Sequence, residues 1–197
     1  MKFKLIVSRL LVAAALATGV SLPSMSVAAT PAVIFIVDTE AVFAQSKVGQ
    51  SIRTQFEDQA KKLQAEGKKT EDAIQADAKK LSEERALLSP EDLQKKFQAL
   101  QKREAEFQQS MQRKGQSLQL GLQRANSKVE AALRPIFAEV LRERGGTVLF
   151  DQTVVLAGGA DLDISGEVLK RLNEKLTTVE VKPMTAEELA AAQKSGQ

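Results

Sequence analysis

The residues of this chain that come nearest to chemistry are acidic. Asp38 and Asp151 each close an apolar run, and Asp161 and Asp163 form a D-x-D pair just after Gly158-Gly159. Two carboxylates at strand ends would suit general acid–base hydrolysis, and a Ser–Lys pair would be its nucleophilic counterpart. A D-x-D pair could open a calcium loop, but the remaining ligands of an EF-hand do not follow it. Gly145-Gly146 and Gly158-Gly159 have the composition of phosphate loops, yet one ends a helical stretch and the other follows an apolar run, where turns need glycine. Capping likewise explains the strand-end aspartates. The chain contains no His, Cys, Trp or Tyr, which removes zinc fingers, thiol nucleophiles, iron–sulfur clusters, disulfides and His-based triads. Neither G-x-x-x-x-G-K-[ST] nor G-x-G-x-x-G occurs, and no nucleophile elbow is present. The expectation is a protein that is not an enzyme and uses no cofactor or metal.

The elements that would position such residues divide the 197 residues into distinct parts. Residues 1–29 read as a secretory signal: Lys2, Lys4 and Arg9 precede an apolar run from Leu10 to Val20, and Val27-Ala28-Ala29 is a small-residue cleavage site. Cleavage is expected after Ala29, with export to a periplasm as a soluble protein. A-V-I-F-I-V, Ala32 to Val37, is a β-branched run suited to a strand buried on both faces, and Asp38 is the N-cap of a short helical turn. After Gly145-Gly146, Thr147 to Asp151 and Thr153 to Ala157 read as two further strands, and Gly166 to Leu176 as an amphipathic helix. From Thr177 the chain reads as a loose tail.

Between these parts lies a long helical stretch. One apolar stripe runs Val48, Ile52, Phe56, Ala60, Leu63, Gly67, Thr70, Ile74, Ala78 and Leu81, at about 3.67 residues per step, which predicts a nearly straight helix. Leu88-Ser89-Pro90-Glu91-Asp92-Leu93 stops it and starts another, with Ser89 as N-cap and Pro90 in the first turn. The second stripe runs Leu93, Phe97, Leu100, Glu104, Phe107, Met111, Gly115, Leu118, Leu122, Ala125, Val129, Leu133, Ile136 and Val140, at about 3.6 per step. Folded back at Ser89 as an antiparallel hairpin, residue i lies opposite roughly 178 − i. The arm, 47–131 with its tip near 88–92, would be about 63 Å long and must project from any body built from 30–46 and 132–176. Its stripe is thin, because Gly67 and Thr70 stand where a rigid coiled coil would have Leu or Ile.

Charge separates the two helices. From Lys47 to Gln94 there are 9 basic and 10 acidic residues, and from Lys95 to Lys128 there are 8 and 2. At 100° per residue, Lys95, Lys102, Arg113 and Arg124 fall opposite the stripe, while Lys96, Arg103, Lys114 and Lys128 fall along one flank. These residues suit long-range attraction of acidic unfolded chains or anionic lipid; an ordinary solvated helix face explains them equally well. Phe97, Phe107 and Met111 lie on the stripe, as hairpin core or as contacts for a bound chain. With no Tyr or Trp to stack bases, nucleic-acid binding is not expected.

The order of A-V-I-F-I-V-D with V-F-A-Q-S, a long Lys/Glu/Gln-rich hairpin, T-V-L-F-D, T-V-V-L-A and D-I-S-G-E-V-L-K-R-L-N resembles the OmpH/Skp family of periplasmic chaperones. The resemblance implies an α+β fold: a small three-stranded β body whose strands are shared in a homotrimeric barrel, with a protruding helical hairpin on each subunit. It further implies an ATP-independent holdase that keeps unfolded outer-membrane proteins in a cavity between the arms, with contact to anionic lipid or lipopolysaccharide at basic arm residues. The alternative is a structural coiled-coil envelope adaptor without chaperone activity.

Overall fold

The computed structural model describes residues 31–195; the signal segment and its cleavage site lie outside the described residues. Strand β1 (Ile34–Val37) pairs in parallel with β2 (Val148–Asp151), with Ile34 beside Val148 and Val37 beside Asp151. A parallel pair needs a crossover, and here the crossover is the whole helical hairpin. Asp38 ends β1 and caps α1 (Thr39–Gln45), its carboxylate accepting from the Ala41 amide at 2.7 Å. Ser46 ends α1 and caps α2 (Lys47–Glu84): its buried hydroxyl donates to the Phe43 carbonyl at 2.8 Å and accepts from the Gly49 amide at 3.0 Å.

After a turn at 85–88, Ser89 caps α3 (Pro90–Glu143), accepting from the Asp92 amide at 3.2 Å while its hydroxyl donates to the Asp92 carboxylate at 2.7 Å. Helix α3 continues through Pro135, with Leu133 and Ile136 buried on either side. It stops at Gly145, whose φ of 67° lies in the left-handed region, and the Gly146 amide closes the end by donating to the Leu141 carbonyl at 2.8 Å. The chain then forms β2, two single 3-10 turns and α4 (Ser165–Lys175). The core lies where the hairpin meets the sheet: Phe35 and Val37 of β1 and Val42 of α1 join Val48 and Ile52 of α2, Val129 to Val140 of α3, and Val168 and Leu172 of α4.

The α+β class stands, with three corrections to the expected details. The third strand is absent among the described residues, because Gln152–Val154 forms a 3-10 turn. Asp151 turns the chain there by accepting from both the amide and the hydroxyl of Thr153, at 2.9 and 2.6 Å, and Val154 and Leu156 are left exposed. The stripes also thin more than their spacing implied, since Ala78, Gly115 and Phe97 are exposed.

The third correction concerns the tail. As far as it is described it is not loose: Val179 and Val181 are buried in the core cluster, and Ala186–Ser195 forms α5 behind an N-cap in which Thr185 and Glu188 exchange bonds of 2.8 and 3.2 Å. Alternating valines and a capping box supply the order that a lack of long apolar runs concealed.

Candidate functional site

The arm has two regimes. Toward the body, α3 buries Ser117, Leu118, Gly121, Ala125 and Val129; from Pro90 to Gln116 it buries no residue fully. On the distal part of α2, Gly67 and Ile74 are the fully buried residues. Gly67 lies against the Met111 side chain, the pairing that a 178 − i register requires. A glycine facing a methionine brings the helices close but specifies their packing weakly, since the thioether adapts to many shapes.

Charges reinforce this seam. Lys96 pairs with Glu84 at 3.0 Å, Arg103 with Asp77 and Lys114 with Glu66, all within two residues of the same register. Three of the four flank cations are thus engaged across the hairpin. The Glu84 carboxyl is held below the ordinary carboxylate range, chiefly by its bond from Lys96. On the outward row, Lys102 meets Glu106 at 3.8 Å one turn on, Arg124 meets Glu188 of α5 at 2.9 Å, and Arg113 reaches the Gln109 amide oxygen at 3.4 Å. Lys95 and Lys128 are exposed and form no ion pair among the described residues. Five of the eight basic residues are thus paired with a carboxylate; Lys95, Arg113 and Lys128 form no ion pair among the described residues.

Phe97 is 52% exposed, whereas Phe107 and Met111 are half-buried. Near the tip, Leu81, Leu93, Phe97 and Leu100 line a groove of about 610 Å³, bordered by Arg85 and Gln94. Spacing alone identified Leu81, Leu93, Phe97 and Leu100 as stripe residues, but not that the seam opens enough there to leave Phe97 exposed and the three leucines half-buried. Sequence reasoning also missed Gln55, Gln59, Ser117 and Gly121, which meet the C-terminal segment. Its V-E-V-K alternation was the available signal.

The strand-end carboxylates considered for catalysis act as caps, and Asp163 of the D-x-D pair is engaged by Ser165. Asp38 holds α1, Asp163 Oδ1 accepts from the Ser165 amide and hydroxyl at 2.8 and 2.5 Å, and Asp151 accepts from Thr39 and Thr153. The Asp151 carboxyl is pulled down to about 2, first by the Thr153 hydroxyl and then by that of Thr39. Among the described residues, no cluster of three or more acidic side chains is placed to hold a metal. At the base, Arg171 bridges Glu143 and Glu167, Arg144 also meets Glu167 at 2.7 Å, and Lys175 meets Glu139 at 2.9 Å. This lattice ties α4 to the foot of α3. It holds the Glu167 carboxyl down, mainly through the bond from Arg144.

Comparison with known proteins locates this architecture. The family described as "Outer membrane protein (OmpH-like)" matches residues 33–172. The crystal structure of an OmpH-like protein from Caulobacter crescentus superimposes with a TM-score of 0.76 at 19% identity, covering 81% of this chain and 95% of that one. At that identity the likeness is one of fold. No curated protein sequence matches.

Proposed function

Because the chain belongs to the OmpH-like family, we propose that it is an ATP-independent holdase chaperone of the periplasm that keeps unfolded outer-membrane proteins from aggregating before insertion. The observation that carries this reading is the contrast along the arm: a well-buried root, and a distal half closed by buried Ile74, a Gly67–Met111 contact and exposed ion pairs, opening on an apolar tip groove around Phe97. Such an arm flexes and offers many weak contacts, which suits transient binding of heterogeneous chains better than a fixed strut does. Lys95, Arg113 and Lys128 supply salt-screened attraction for acidic clients and for anionic lipid or lipopolysaccharide. Phe97, with Phe107 and Met111 when the seam loosens, supplies apolar contact.

The working form is a homotrimer whose bodies join through the apolar edge that includes Val33, Ile34, Val148 and Phe150, leaving the arms around a client cavity. A two-stranded sheet is too small to leave such an edge bare. The test is light scattering of the signal-free protein, alone and with a urea-denatured outer-membrane barrel protein diluted into low- and high-salt buffer. A trimer that suppresses aggregation, less well at high salt, is the expected result. A monomer or dimer that leaves aggregation unchanged overturns the reading and favours the envelope adaptor.

A further inference from the structure

Beyond α4 the chain climbs back along the root of the arm, touching both helices of the hairpin. Ser51 and Thr178 share a hydroxyl bond of 2.8 Å. Gln55 then grips the backbone with both ends of its amide, donating to the Val179 carbonyl at 2.9 Å and accepting from the Val181 amide at 3.0 Å. One turn along α2, Gln59 donates to the Val181 carbonyl at 2.5 Å. On α3, the Ser117 hydroxyl donates to the Met184 carbonyl at 2.5 Å and the Ser117 carbonyl accepts from the Met184 amide at 3.2 Å. Gly121 lies under Lys182 so closely that a Cβ there would stand 2.4 Å from the Lys182 carbonyl oxygen.

Two features of this contact describe a ligand. Most of the polar bonds go to the backbone of the segment, so they do not depend on its sequence. Val179 and Val181 are buried while Glu180 and Lys182 are exposed, so the groove accepts small β-branched residues at alternate positions. We propose that Gln55, Gln59, Ser117 and Gly121 form a binding site for extended polypeptide with alternating β-branched apolar residues, and that residues 178–184 occupy it in cis until a client displaces them. Membrane-spanning β-strands carry this apolar–polar alternation. The identity of the client rests on the holdase reading above; the groove and its cis occupant do not. A tethered occupant has an effective concentration in the millimolar range, so a lone free strand competes poorly, whereas a long client held at several points on the arms competes well.

The test uses the full chain. A labelled peptide of residues 176–185 is titrated into the unaltered protein and into Val181→Ser, which loosens the resident segment, with circular dichroism confirming the fold. Binding to the variant at least ~10-fold tighter than to the unaltered protein is expected, with loss of that gain in Val181→Ser/Gln55→Ala/Gln59→Ala. An unlabelled peptide of alternating valines should displace the label, and its isomer with clustered valines should not. Equal binding to both chains, no binding to either, or equal displacement by the two isomers overturns the proposal.

Hydrogen exchange on the unaltered protein is the second measurement. Adding unfolded barrel protein should speed exchange of the Val181 and Met184 amides about tenfold while Val129 is unchanged. Tail protection that depends on protein concentration and ignores the client marks exchange between copies and also overturns the proposal. Peptide competition without suppressed aggregation defeats the holdase reading alone; suppressed aggregation without competition defeats this groove alone.

Discussion

Asp151 stands where β2 gives way to a 3-10 turn, and its carboxylate gathers the hydroxyls of Thr39 and Thr153 and the Thr153 amide. These donors favour the charged form and hold its folded value at about 2. The unfolded value is ~3.9, so the stabilisation is complete above that pH and is lost as pH falls through it toward the folded value. Partial exposure limits the effect to about 1 kcal/mol. Asp151→Asn, which keeps one acceptor and loses the charge, should lower stability by about that much in urea melts at pH 7. The gap should close as the pH falls to the folded value; a gap independent of pH would show that the turn needs shape alone. Phe97 makes the complementary case. With half its surface in water, Phe97→Ala should change melting by less than about 1 kcal/mol yet weaken protection of a denatured barrel protein, whereas Val129→Ala in the sealed root should cost about 1–3 kcal/mol.

Among the helices, two glycines sit in equivalent helical backbone and should respond in opposite ways to the same substitution. Alanine in a helix interior is favoured over glycine by about 1 kcal/mol. At Gly67 the new Cβ meets only the Met111 side chain, its methyl at 2.9 Å and its sulfur at 3.5 Å, and that flexible end can move aside. Gly67→Ala should therefore stabilise the protein by about 0.5–1 kcal/mol and stiffen the arm. At Gly121 the Cβ meets backbone at 2.4 Å, so Gly121→Ala should destabilise and release the C-terminal segment, read as faster exchange of the Val181 amide. Equal effects at both sites in thermal melts would contradict this account of the packing. The same elements show what was legible in the sequence. Punctuation was: by local rules Asp38 starts α1, Ser89 with Pro90 starts α3, and Gly145 follows its end, although α2 already stops at Glu84. The hairpin register was too, since the stripes and the tip fix it together. The strand expected from Thr153 was not, because Asp151 diverts the backbone with side-chain bonds that no pattern of hydropathy records. The ordered tail was also hidden, since its two valines gain meaning only beside Gln55 and Gln59, more than a hundred residues earlier.

As a whole, the described chain is a sealed root carrying an arm that its own packing closes only in part, and the sheet at its foot is unfinished. Parallel strands normally lie inside larger sheets covered on both faces. Here β1 is flanked by β2 on one side and by a single bridge from Ile36 to Asp163 on the other, and Phe150 of β2 remains 43% exposed. Val154 and Leu156, just past β2, face water as well. If subunits join through this edge, a charge placed on it must be desolvated in the assembly but not in the free subunit, a difference of several kcal/mol. Phe150→Glu should therefore shift the mass measured by light scattering from trimer to monomer at micromolar concentration. Its helical circular dichroism should be retained, because the hairpin seam and the ion pairs of the base lie within one chain. Protection of a denatured barrel protein should fall with the mass, since separated arms enclose nothing. A Phe150→Glu protein that remains a trimer would place the subunit contact elsewhere, whereas a monomer that still protects would assign the holding of clients to the single arm.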